Sequence, residues 1–260
     1  MKRNKNFKEF TKVLIVAGLS LSIVVPVLNK STLSKSIHET KSSLSIFSGD
    51  KKRTVDEDFN SLNSKEKPSW SGKYKLEMKE LDHLGRAVQS HILLQKKNMP
   101  KKVREPRLNY NPVGWHNYKF NGKWLMNRGH LVGYQFSGLN DEARNLVPET
   151  AYLNAGALSG MDDSNASSML FYENRLATWL RTNPDKWLDY TVTPIYKEDE
   201  LLPRQIQLNY VGFDKNGKVL PLRIGGNETS AENNTTQVLL DNTSPNAIIN
   251  YATGTAKQKN

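Results

Sequence analysis

No cysteine occurs among the 260 residues. The chain therefore has no disulfide, no thiolate zinc site and no cysteine nucleophile, and its core must hold the fold unaided. Any metal must be held by oxygen or imidazole ligands. Long apolar runs are missing too. The most hydrophobic stretch, "VLIVAGLSLSIVVPVL" from Val13 to Leu28, is shorter than the ~20 residues of a membrane-spanning helix. It follows the basic run "MKRNKNFKEFTK", so residues 1–30 read as a signal peptide and the protein as secreted, an uncleaved anchor being the other reading. Residues 31–69 have few large apolar side chains and no sustained period, which predicts a flexible polar lead-in. The folded body is expected over residues 70–260.

Positive charge is plentiful. The formal net charge is +11; Lys2, Arg3, Lys5, Lys8 and Lys12 against Glu9 account for +4 of it, leaving +7 for the body. A basic body suits a polyanionic partner such as a nucleic acid or an anionic surface. The densest run is "KKNMPKKVREPR", Lys96 to Arg107, with six basic residues against Glu105. Two prolines bar a regular helix there, so an exposed basic loop is expected. As candidate substrate contacts it offers Lys101, Lys102 and Arg104.

"YKFNGKWLM" predicts a hairpin, because Asn121-Gly122 is the dipeptide that type I′ turns favour. Its second strand, Lys123 to Met126, is expected to run directly into Asn127-Arg128-Gly129-His130. "SNASSMLFYENRLATWLRTNP" carries Met169, Tyr172, Leu176, Trp179 and Leu180 at helical spacing, with Pro184 as a stop. A shorter helix is expected from about Thr150 to Leu158. Strands follow in "LDYTVTPIY", in "RQIQLNYVGFD" and "KVLPLRI" joined through Lys215-Asn216-Gly217, and finally in "VLLDN". A hairpin and helices between strands predict one α+β domain.

The motif "NRGHLVGY", Asn127 to Tyr134, sets an imidazole beside a guanidinium, which packing alone does not require. Hydrolysis of a phosphodiester needs a base for water and positive charge on the phosphoryl oxygens. His130 suits the first role because imidazole titrates near neutral pH. Arg128 supplies one charge, and a metal ion would supply more. Asn154 offers a neutral amide oxygen and Glu173 a carboxylate; Mg²⁺ often takes only one or two protein oxygens and keeps its waters. His83, His91 and His116 read as structural or surface groups, Trp115 and Trp124 as packing, and Asp162-Asp163 as a loop with a helix start.

"NRGHLVGY", "NLVPETAYLN" and "FYENR", in that order, resemble the DNA/RNA non-specific endonucleases with a ββα-metal site. Within them the likeness is to the streptococcal secreted DNases, the mitogenic factor or streptodornase group, and it extends to "PRLNYNPVGWHNYKFNGKW" and "VTPIYKEDELLPRQI". The resemblance implies an α+β, ββα-metal nuclease fold with an antiparallel sheet and a metal site carried on helices. It implies His130 as general base and Asn154 as ligand of a single Mg²⁺, with Mn²⁺ or Ca²⁺ as substitutes. Glu173 would orient metal-bound water, Arg128 would support the phosphate, and Asn145 would lie at the edge of the substrate site. DNA, or RNA, would be cut with little sequence preference to leave 5′-phosphates. The wider family begins the motif with aspartate; Asn127 stands there instead, which puts in doubt any role for that carboxylate beside the histidine. The rival reading is a non-catalytic secreted mitogen, or a receptor- or polyanion-binding protein, whose activity would survive His130→Ala.

Overall fold

The computed structural model describes residues 70–260; the signal peptide and lead-in expected over residues 1–69 lie outside the described residues. In chain order the strands are β1 (Lys75–Met78), β2 (Ser90–Leu94), β3 (Lys119–Phe120), β4 (Lys123–Trp124), β5 (Met126–His130) and β6 (Leu146–Thr150). Then come β7 (Trp187–Ile195), β8 (Gln205–Phe213), β9 (Val219–Leu220), β10 (Thr229–Ser230), β11 (Thr236–Asp241), β12 (Ala247–Asn250) and β13 (Thr255–Gln258). Three helices interrupt them: α1 (Tyr134–Ser137), α2 (Ala151–Ala155) and α3 (Met169–Thr182).

Seven strands form one antiparallel sheet in the order β1-β2-β7-β8-β11-β10, with β9 also on β8. Its spine is the nine-residue pair β7 and β8, in register from Trp187↔Phe213 to Ile195↔Gln205. Helix α3 packs on β7. Met169, Tyr172, Leu176 and Leu180, at the expected helical spacing, are buried in one cluster with Ile92, Leu94, Tyr190, Val192, Leu208 and Tyr210 from the sheet. Each such aliphatic side chain contributes about 1.5–3 kcal/mol when fully buried. The Ser168 side chain caps the start of α3 by accepting from the Phe171 N–H. The opposite sheet face buries a smaller cluster around Leu93, Trp187, Val211 and Phe213.

The hairpin turn has positive φ at both Asn121 (52°) and Gly122 (76°), as a type I′ turn requires. Its second strand differs from expectation. β4 stops at Trp124, and β5 begins at Met126 and pairs with β6 instead of β3. Leu125 marks the break: its N–H donates to Tyr118 and its carbonyl accepts from Ala151. The short helix is shorter than expected, because Gly156 takes a left-handed conformation (φ 78°) and ends α2. β9 spans only two residues, as Pro221 has no N–H to continue the ladder. After β11 the chain adds a hairpin of β12 and β13, which the sequence pattern did not announce.

Candidate active site

The site is built on the antiparallel ribbon of β5 and β6, whose register pairs Asn127 with Glu149, Arg128 with Pro148 and His130 with Leu146. Arg128 and His130 are two apart and so share one face of the ribbon, while Gly129 and Glu149 belong to the other. Helix α2 follows β6 directly and packs against both ribbon strands and α3. Ribbon and short helix thus make the ββα unit.

His130 ends β5 and is 7 % exposed. Its Nε2 lies 2.9 Å from the Asn140 carbonyl. A carbonyl only accepts, so Nε2 carries the hydrogen and Nδ1 keeps its lone pair. Burial pushes the His130 pKa down to about 4; the Asn140 bond opposes this and the positive charge of Arg104 adds to it. The ring is therefore neutral at pH 7 and able to accept a proton at Nδ1.

Arg128 lies with its guanidinium 4.7 Å from the Trp115 ring centre, and its Nε donates to Asn111 Oδ1 at 2.8 Å. Trp115, expected as packing, thus also holds the motif arginine. The segment carrying Asn111 is held by Asp141, which accepts from the backbone N–H groups of Asn109 (2.7 Å) and Tyr110 (3.0 Å). Asp141 directly follows Asn140, so one short loop sets both the histidine and the arginine.

Three residues beyond His130, the Gly133 N–H donates to Glu173 Oε1 at 2.9 Å. A Cβ on Gly133 would come within 2.5 Å of both Glu173 carboxyl oxygens. Burial pushes the Glu173 pKa up to about 7, although the Gly133 N–H, the Gln135 side chain and Arg104 all favour its charged form. Arg104 therefore acts on both His130 and Glu173 from the exposed basic segment. Tyr134 Oη ties that segment to α1 by donating to the carbonyls of Lys102 (3.3 Å) and Val103 (3.4 Å).

Asn145, expected at the edge of the substrate site, lies beside the turn that follows His130. It is 1 % exposed; its Oδ1 accepts from the Val132 N–H at 3.0 Å and its Nδ2 donates to the Val132 carbonyl at 2.9 Å. With one bond from each amide atom to the Val132 backbone, it fixes the turn that follows His130. Asn154 is half-buried on α2, and its side chain makes no hydrogen bond to the described residues. Of the other histidines, His91 pairs with Asp189 across the sheet at 3.0 Å, His83 faces Asp199 at the surface, and His116 bonds the Gly114 carbonyl.

Sequence reasoning missed Glu149. It is 0 % exposed and neither carboxyl oxygen has a hydrogen-bond partner among the described residues. A Cβ on Gly129 would overlap that carboxyl, so the motif glycine is needed to admit it. Burial raises the Glu149 pKa well above the ordinary value, and the negative charge of Glu173 adds to the shift. Each glycine of this stretch thus carries a glutamate: Gly129 lies under Glu149, and Gly133 under Glu173.

These residues suit a hydrated divalent cation. Glu149 and Glu173 repel each other, Arg104 offsets only Glu173, and the unsatisfied oxygens of Glu149 would be met by the waters of a cation. Among the described residues no three His, Asp or Glu side chains converge to strip a cation of its waters. The free side-chain amide of Asn154 is a neutral oxygen donor of the kind a cation that keeps most of its waters accepts.

A family model described as DNA/RNA non-specific endonuclease matches residues 64–212. A solved extracellular nuclease is 47% identical, superposes with a TM-score of 0.64 and matches 75% of this chain and 99% of its own. A solved extracellular endonuclease is 48% identical with a TM-score of 0.64, over 76% and 92% of the two chains. At 19% identity and a TM-score of 0.54, NucA from Streptococcus agalactiae, solved with a magnesium ion bound, shares the fold over 75% of this chain and 82% of its own. No curated protein matches the chain.

Proposed function

Because the chain belongs to the DNA/RNA non-specific endonuclease family, we propose that it is a secreted, metal-dependent endonuclease that cuts DNA with little sequence preference, RNA being the other substrate class open to it. Family membership sets aside the non-catalytic alternative. Secretion is supported by the basic and apolar N-terminal segment and by the extracellular nucleases among its relatives. No helix of the described residues is long and apolar enough to cross a membrane.

One observation carries the mechanism: His130 donates through Nε2 to a carbonyl and is held neutral, so Nδ1 is a base at the pH of use. In the proposed reaction Nδ1 takes a proton from water as its oxygen attacks phosphorus, and the bond to the 3′-oxygen breaks, leaving a 5′-phosphate on one fragment and a 3′-oxygen that takes a proton from solvent water to become a hydroxyl. Arg128 and Arg104 offset negative charge on the phosphoryl oxygens. Asn154 would hold the cation through its amide oxygen, and Glu173, with Glu149 behind it, would accept hydrogen bonds from its waters. When bound, Mg²⁺ supplies further positive charge to the phosphate and to the leaving oxygen. Mg²⁺ is the proposed ion, with Mn²⁺ or Ca²⁺ as substitutes; relatives of this fold were solved with magnesium and with zinc.

Plasmid digestion by wild type and His130→Ala, each with and without EDTA, tests the reading. Cleavage by the untreated wild type alone is the expected result. Cleavage that persists in the variant or in EDTA would remove the histidine or the metal from the mechanism.

A further inference from the structure

The ribbon has a second face, opposite the one that carries Arg128 and His130, and its composition bears on the cation. Asn127 on β5 and Glu149 on β6 are direct partners in the register, so their side chains leave that face together, with Cβ atoms about 5 Å apart. Glu149 leans from there over Gly129, whose lack of a side chain makes room for its carboxyl. It is fully buried, and neither oxygen has a hydrogen-bond partner among the described residues. Its charged neighbour is Glu173, of like sign, and Arg104, which offsets Glu173, does not offset Glu149.

A buried carboxyl with two unpartnered oxygens and a like-charged neighbour costs stability, and a glycine is kept to admit it. Packing does not account for it, since a neutral side chain of similar volume would fill the space at lower cost. A cation beside Glu173 does account for it: its charge offsets both carboxyls, and its waters donate to the unpartnered oxygens. The first position of the motif, where the wider family has aspartate, is the neutral Asn127 here. The register thus sets a carboxyl directly across the ribbon from the position where this chain lacks one. An aspartate at 127 would face Glu149 as a like charge directly opposite, which paired strands disfavour.

We propose that Glu149 is a positioning residue: from β6 it supplies negative charge that steadies the hydrated cation held by Asn154 and Glu173, in place of a carboxylate at the first position of the motif. The inference rests on the proposed metal-dependent reaction and goes beyond it, because it makes Asn127 and Glu149 a matched pair whose one charge can be moved from strand to strand. Glu149 acts through water and through Glu173 and touches no reacting atom.

The test compares wild type, Glu149→Gln and Asn127→Asp/Glu149→Gln. Mn²⁺ is the probe, followed without nucleic acid by the EPR signal of the free ion, and melting is measured in EDTA. Glu149→Gln should bind Mn²⁺ about 10- to 100-fold more weakly and yet melt no lower than wild type, since it removes an uncompensated buried carboxyl. The double variant, with its carboxylate moved to β5, should recover most of the lost affinity. The Mg²⁺ concentration for half-maximal plasmid cleavage should shift by the same factors. Wild-type Mn²⁺ affinity in Glu149→Gln would overturn the proposal, and so would a folded double variant that binds no better than the single one. A Glu149→Gln protein that melts lower than wild type in EDTA would assign the carboxyl to the fold instead. A wild type whose Mn²⁺ affinity depends on Glu149 in this way, yet which cleaves neither DNA nor RNA, would sink the nuclease reading and leave the positioning role standing.

Discussion

Strand β8 buries Ile206, Leu208, Tyr210 and Val211, whereas the ribbon of β5 and β6 buries His130, Glu149 and Thr150. The first set contributes favourable transfer energy and was readable from hydrophobic pattern. The second set costs free energy, because an imidazole and a carboxyl are taken from water with incomplete compensation. The sheet therefore supports the ribbon, and the ribbon spends part of that stability on holding groups whose pKa values are displaced in opposite directions. Such local conflict between composition and burial marks a site selected for chemistry.

Four outcomes would break or sharpen that contrast. The largest is His130→Ala, which should lower kcat about a hundred- to ten-thousandfold with the fold retained, the loss of the bond to the Asn140 carbonyl costing about 1–3 kcal/mol. A core change such as Leu208→Ala should do the reverse, costing about 2–5 kcal/mol with wild-type activity per folded molecule. Unfolding curves and single-turnover rates on the same preparations separate the two.

Next is Gly129→Ala, which forces a methyl group into the Glu149 carboxyl and should cost about 3 kcal/mol. Combined with Glu149→Ala the loss should largely vanish. Additive losses in a double-mutant cycle would show that the glycine is needed for some other reason. By contrast Gly122, whose Cβ would meet open space, should lose only about 1 kcal/mol on change to Ala, from its positive φ alone.

The third concerns pH. The folded-state pKa of Glu173 is raised to about 7, so its contribution is present at low pH and is lost as pH rises from the ordinary carboxyl range through about 7. The His130 pKa is lowered to about 4, so its contribution is present above the ordinary imidazole value and is lost as pH falls toward 4. The two oppose each other in mildly acid solution. Comparison with Glu173→Gln isolates the carboxyl: without metal, wild-type stability should fall relative to the variant by about 3 kcal/mol between pH 4.5 and 8. Mg²⁺ should restore it most at the alkaline end. Parallel stability curves would show that Glu173 is not held as described.

The smallest effect is expected at Tyr190, whose hydroxyl has no partner among the described residues. Tyr190→Phe should be neutral or slightly stabilising in thermal unfolding, since no hydrogen bond is lost. A loss of more than about 1 kcal/mol would place a bound water between this hydroxyl and its neighbours.

The legible parts of the molecule were those whose cause is local. Helical spacing marked α3, Asn121-Gly122 marked the hairpin turn, and ordered motifs pointed to the family that the comparison shows. Glu149 was hidden because its burial depends on the ribbon lying over the sheet, which "LVPET" does not encode locally. The Asn140 carbonyl, which sets the histidine tautomer, is a backbone group without any residue signature. Asn145 was recognised, but its bonds to the Val132 backbone have no local signature and show only in the turn itself. Strand β13, "TAKQ", carries no apolar alternation beyond Ala256, which packs on the Leu125–Met126 cluster.

The claim that His130 is a neutral base acting through Nδ1 is tested most directly by a pH titration of its imidazole nitrogens by ¹⁵N NMR. Hydrogen on Nε2 throughout the neutral range and protonation of the ring only near pH 4 are the predicted result. Hydrogen on Nδ1, or a pKa at or above 6.5, would contradict it.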